Sequence, residues 1–159
     1  MYRKVEDFLA DWSNASAETI KVLESLTDDK LGQSIVEGHS TLGWLGWHLA
    51  TAPSFFAGLV GLNVEAAGAA DVVPTKADDI VEAYKKAAED VKHEAQQQLT
   101  DEKLIEEVDH FGTPAPRGAI LRTFVDHQTH HRGQMTVLLR QAGLPVPGVM
   151  GPTKEQQEQ

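Results

Sequence analysis

"HQTHHRGQMTVLLRQAG", His127–Gly143, opens with three histidines in five residues and closes on a glycine. Extended back to Ile120, the stretch places Ile120, Phe124, His127, His131, Gln134 or Met135, and Leu138 three or four residues apart. That spacing is one stripe of an α-helix, which turns about 100° per residue. Gly143 with Pro145 beyond it reads as a helix stop, and Thr113, Pro114 and Pro116 upstream read as start signals. His127 and His131 therefore sit one turn apart on the apolar face, with side chains on the same side. His130 points about 100° away, to the flank.

The rest of the chain has the same period. Val5, Phe8, Trp12, Ala15, Thr19, Val22 and Leu26 predict a first helix over about Tyr2–Leu26. A second starts near Ser40 or Thr41, both good N-cap types, and continues through "LGWLGWHLATAPSFFAGL" with a kink expected at Pro53. Its inward stripe is Thr41, Leu45, His48, Ala52, Phe55 and Leu59. Thr75 with Asp78 resembles a capping box opening a third helix, which turns Ile80, Tyr84, Ala87, Val91 and Leu99 inward. The connection from about Val60 to Thr75 exceeds the roughly 2–8 residues of a simple reversal. Extended, its roughly 16 residues reach roughly 50 Å, enough to run the length of a bundle. The expectation is an all-α four-helix bundle with a long crossover between helices two and three, which then run parallel. One domain is expected over residues 1–145, followed by a frayed, solvated tail over 146–159.

Composition narrows the chemistry. The chain has 159 residues and no cysteine, which excludes disulfides, thiolate metal sites, iron–sulfur clusters and a cysteine nucleophile. Any metal must be held by histidine or carboxylate. With 24 acidic and 14 basic residues the net charge is −10, and no cluster of Lys and Arg offers a face for nucleic acid. The opening "MYRKVEDFLADW" lacks the apolar stretch of a signal peptide, and no apolar run is long enough to span a membrane. A cytoplasmic protein acting on a small molecule is the expectation.

His48 sits mid-stripe on the second helix, among Trp44, Leu45 and Leu49. Three histidines from two helices thus converge in one bundle. Burying an imidazole without partners costs roughly 1–3 kcal/mol. A divalent metal would satisfy all three, and a three-histidine set leaves a coordination position open, as catalytic sites do. The alternative is three core histidines bonded to backbone or water.

Other residues have competing readings. Gln134 can orient a ligand histidine or bond to backbone at the core edge. Gly133 suggests close approach of a neighbouring helix. Arg132 and Arg140 read as surface ion-pair partners, and Trp44 and Trp47 as bundle packing rather than a substrate platform. His39, His93 and His110 lack any core stripe. His130, on the flank, is a solvated histidine or a proton shuttle near the mouth. Glu94 reads as a solvated helix-edge glutamate, with a general base or fourth ligand as the alternative. The Gly/Ala-rich stretch 60–74 reads as a plain connector.

The run His-x-x-x-His-Arg-Gly-Gln, then Leu-Arg and the closing Gly, resembles the last helix of the DinB/YfiT-like family. His48 in "LGWHLA" matches that family's second-helix histidine. The resemblance covers nearly the whole chain, though its specific residues lie in these two helices. It implies a four-helix bundle of up-down-down-up topology and a divalent metal held by His48, His127 and His131, the trio that periodicity selects. Zinc is the first expectation, then nickel or iron. The likeness further implies a thiol-dependent S-transferase using an exogenous low-molecular-weight thiol, such as bacillithiol or mycothiol, and a homodimer. Metal-dependent hydrolysis and a non-catalytic metal- or ligand-binding bundle are the alternatives.

Overall fold

A computed structural model describes residues 1–157. Four long helices form: α1 (Val5–Leu23), α2 (Leu42–Leu59), α3 (Ala77–Gln98) and α5 (Arg117–Ala142). A short α4 (Asp101–Ile105) and an antiparallel hairpin, β1 (Glu107–His110) with β2 (Thr113–Pro116), separate α3 from α5. A last turn of helix, α6, covers Lys154–Gln157. The expected all-α four-helix bundle forms, with this small sheet added. No helix among the described residues is long and apolar enough to cross a membrane.

Cross-helix contacts fix the directions. Trp12 of α1 donates from Nε1 to Ala88 O of α3 at 3.0 Å, and Glu24 pairs with Lys85, so these helices are antiparallel. Trp12 stacks on Phe124 of α5, and Arg132 reaches Ala15 O, so α1 and α5 run parallel. Helix α2 runs parallel to α3, with Gly46 against Ile80 at one end and Asn63 N donating to Glu94 Oε2 at the other. The crossover expected over 60–75 is therefore present. It is more than a plain connector, because Leu62 and Val64 are buried and Ala69 O accepts from Trp47 Nε1 at 2.8 Å.

Phe8, Trp12, Tyr84, Phe124 and a set of Leu and Ile side chains fill the core. Two polar groups inside it find partners across helices. Tyr84 donates to Gln128 Oε1 at 2.8 Å, and Arg132 donates to Ala15 O at 3.0 Å and Thr19 Oγ1 at 3.2 Å. Arg132 is thus a core residue, not the expected surface partner; its guanidinium joins the bond that Thr19 Oγ1 already makes to Ala15 O at 2.8 Å, which gives its own buried N–H groups acceptors. Arg140 does pair at the surface, with Glu155 at 2.7 Å.

Several local readings change. Thr75 and Asp78 form no capping box. The N-terminus of α3 is capped from outside, by Asp28 Oδ1 accepting from Ala77 N at 2.8 Å while Oδ2 pairs with Lys76. An anion at a helix N-terminus satisfies a free N–H and opposes the helix dipole. Residues 113–116 build an edge strand, a place where Pro114 and Pro116 are tolerated, and Pro116 at its end is also the N-cap of α5, so the expected helix start holds there and not at Thr113 or Pro114. Gly133 has no neighbour within 4 Å of where a Cβ would lie, so no helix packs against it. The expected solvated tail forms a short helix at 154–157; its last residues, Glu158 and Gln159, lie outside the described residues.

Candidate metal centre

His48 comes from the middle of α2, and His127 and His131 come from one turn of α5. Thr41 starts α2 as predicted, its hydroxyl accepting from Trp44 N at 3.1 Å. Helices α2 and α5 lie side by side and antiparallel, with Phe56 stacked on Phe124 at one level and His48 against His131 at another. That packing brings the three imidazoles together at the edge of the core. All three are half-buried, so the cluster has one open side rather than full enclosure.

The nitrogens converge. His127 Nε2 stands 3.0 Å from His48 Nε2 and 3.2 Å from His131 Nε2. One ligand atom from each of the three lies within 4.8 Å of the others. Neighbours hold the rings in place. Trp44 lies face to face with His48 at 4.9 Å and 9°, Phe56 packs on His127 at 5.1 Å, and His131 Nδ1 donates to Gln134 Oε1 at 2.8 Å.

Protons alone do not satisfy this arrangement. Since Oε1 of Gln134 can only accept, His131 carries its proton on Nδ1 and turns a lone pair toward His127. His127 Nδ1 is buried without a hydrogen-bond partner among the described residues. In its neutral form His127 has one proton, which can serve only one of its two Nε2 contacts. All three groups are also held neutral. Burial, with the neighbouring His131, His48 and His130 adding to it, lowers His127 from 6.5 to about 4. Burial lowers His48, with His131 adding to it. Burial likewise lowers His131, against a raising hydrogen bond from Gln134.

A donor set of three neutral imidazoles fits a transition-metal ion. On a tetrahedral ion with metal–nitrogen distances of about 2.0–2.1 Å, ligand nitrogens stand about 3.4 Å apart, close to the separations found here. Among the described residues, these three are the grouping with metal-ligand spacing.

Beside the cluster opens a cavity of about 540 Å³, lined by His48, His127, Phe55, Phe56 and, from the crossover, Gly68 and Ala70. Phe55, expected on the inward stripe, is 51% exposed at its rim. Trp44, read as packing, is exposed and stacks on His48 from outside this cavity, whereas Trp47 is buried as expected. A larger cavity of about 630 Å³, near Asp28, Thr41 and Pro74, contains none of the three histidines. The remaining candidates lie elsewhere or at the edge. His130 is exposed with its ring against His131 at 4.9 Å, His39 lines separate cavities, and Glu94 caps Asn63 N away from the cluster. The cavity was not legible in the sequence, because closing it takes Gly68 and Ala70 of the connector against α2 and α5.

Comparison with known proteins gives the family and the fold. The model of the DinB family matches residues 1–159. The chain is 39% identical over 156 residues to YrdA, an uncharacterized protein of Bacillus subtilis (strain 168), covering 98% of this chain and 93% of that one. The crystal structure of a DinB-like protein from Bacillus cereus ATCC 10987 superposes with a TM-score of 0.89 at 43% identity, over 93% of this chain and 99% of that one. A second DinB-like protein, YjoA of Bacillus subtilis, shares the fold with a TM-score of 0.72 at 20% identity, over 92% of this chain and 99% of that one.

Proposed function

The chain belongs to the DinB family, and from that membership together with the histidine geometry we propose that it is a metal-dependent enzyme whose ion is held by His48, His127 and His131. The observation that supports this best is the meeting of three ring nitrogens at 3.0 and 3.2 Å around His127, in a cluster that hydrogen bonds leave unsatisfied. Zinc is the first candidate, with nickel or iron next, because an all-imidazole set suits each of them. Once bound, such an ion acts as a Lewis acid and lowers the pKa of a thiol or water brought to the open side.

The chain's own residues prepare that side. Trp44 and Phe56 fix the planes of His48 and His127, and Gln134 sets the tautomer of His131 so that its Nε2 lone pair faces inward. The cavity receives the reacting molecules and shields them from bulk water. The reaction proposed is thiol S-transfer. Since the chain has no cysteine, the sulfur comes from an exogenous low-molecular-weight thiol. The thiol gives up its proton to solvent, a sulfur–carbon bond forms, and the acceptor's leaving group departs with its electron pair.

A panel of thiols and electrophiles, assayed with zinc-loaded protein, tests this. Turnover should require both a thiol and the ion and should vanish in His127→Ala. Turnover that persists without any thiol removes the transferase reading and points to hydrolysis. Absence of turnover with a tightly held ion points to a binding module.

A further inference from the structure

We propose that the cavity beside His48 and His127 binds an uncharged molecule carrying an aromatic or alkyl group, and that Phe55 and Phe111 select it. Treating that molecule as the acceptor substrate rests on the S-transfer reading; its binding chemistry does not.

Three observations carry the inference. The first is the lining. No residue of this cavity carries a formal charge: beside the two histidines it has only small and aromatic apolar groups with Thr51 and Ser54. Both hydroxyls are committed to backbone, Thr51 Oγ1 donating to Trp47 O at 3.1 Å and Ser54 Oγ to Thr51 O at 3.0 Å. From the protein's own lining, a carboxylate, sulfonate or phosphate entering here would lose water and gain no cationic side chain or free hydroxyl donor. The volume of about 540 Å³ suits a small organic molecule.

The second is the rim. Phe111, at the tip of the hairpin, stacks on Phe55 with ring centroids 6.1 Å apart and planes 26° apart. These side chains are 76% and 51% exposed. Phe55 lines the cavity, and Phe111, stacked on it from outside the lining, extends an exposed apolar face that bulk water does not favour.

The third is the backbone beneath Phe111. His110 pairs with Thr113, so Phe111 and Gly112 are the two central residues of the turn, with φ of 55° and 81°. Both positive values mark a hairpin turn that favours Asn, Asp or Gly at its first central position. A phenylalanine there adopts a left-handed conformation at a cost. Burial does not offset that cost, since the ring is mostly in water. A strained, exposed aromatic stacked on a cavity-lining phenylalanine is accounted for by contact with a ligand that reaches out past Phe55.

The test uses two fluorescent dyes with the same ring system. N-phenyl-1-naphthylamine is neutral, and 8-anilino-1-naphthalenesulfonate adds one negative charge. Titrations comparing the two dyes run on the metal-stripped full chain in about 0.5 M NaCl, where the Debye length of about 4 Å removes long-range repulsion from the acidic surface. The neutral dye should bind at least about tenfold more tightly than the sulfonate, the effect of an unpaired buried charge. Phe55→Ala and Phe111→Asn should each weaken the neutral dye at least about threefold, the range of an aromatic contact. Phe111→Asn should do so with an unchanged or higher melting temperature, because Asn tolerates the turn; this keeps lost binding separate from lost folding. Val137→Ala, exposed beside a different cavity, should leave the affinity unchanged. Equal binding of the two dyes overturns the inference. So does unchanged affinity in both phenylalanine variants, or a loss in Val137→Ala as large as theirs. Metal-stripped and zinc-loaded protein should bind the neutral dye alike. A chain that retains no zinc therefore sinks the metal reading and leaves this one standing, whereas loss of dye discrimination sinks this one and leaves the zinc result untouched.

Discussion

Acidification should weaken zinc binding far less here than at an ordinary three-histidine site. Metal and proton compete for the same nitrogen lone pair, so each ligand lowers the apparent affinity by the factor 1 + 10^(pKa − pH). Three unperturbed imidazoles, with pKa about 6.5, would each contribute a factor of about 11 at pH 5.5, or about 10³ together. Burial and its neighbours pull His127 to about 4, so its factor at pH 5.5 is close to one. At most two ordinary factors remain, about 10² together. His48 and His131 are also lowered, which makes the loss smaller still. The sign follows from the direction: a depressed pKa keeps the lone pair free to lower pH, so binding persists through the window below pH 6.5. Competition titrations against a chromophoric chelator at pH 7.5 and 5.5, corrected for the chelator's own protonation, measure the ratio. A loss of about 10² or less supports the geometry. A loss of 10³ or more means three solvated imidazoles, and it refutes the half-buried cluster.

Gln134→Ala removes the acceptor that orients His131 and should weaken zinc affinity by about 10–100-fold, with little change in the metal-free melting curve because Gln134 is exposed. Gly118→Ala should destabilise the chain by about 3 kcal/mol or more in urea unfolding, since its Cβ would fall 2.0 Å from Tyr2 O. The opposite is expected of Gly133→Ala, in an exposed helix interior with nothing near the new methyl group: a gain of about 1 kcal/mol in the same assay. A loss at Gly133, or tolerance at Gly118, would contradict the packing described.

The histidine trio could be read from the chain because a helix repeats every 3.6 residues, and a polar residue on an apolar stripe is conspicuous. The stripe says which face turns inward, not how deep the face lies. Phe55 and His48 share a stripe, yet Phe55 emerges at the rim. Arg132 hid for a different reason: its partners, Ala15 O and Thr19 Oγ1, lie more than a hundred positions away. Thr19, a hydroxyl on the inward stripe of the first helix, was no pointer to Arg132, since it already donates to Ala15 O of its own helix. The cap on α3 was equally non-local, because Asp28 reaches Ala77 N across 49 positions. The hairpin's four-residue strands are too short for a clear alternating pattern, and the two prolines in β2 read more naturally as the start of a helix.

The most direct test of the central claim is the metal-to-protein ratio of the purified, zinc-reconstituted chain after exhaustive dialysis, measured by elemental analysis beside His48→Ala and His127→Ala. The account predicts about one ion per chain in the parent and far below one in both variants, each still helical by circular dichroism. Zinc retained equally by all three proteins, or by none, would contradict it.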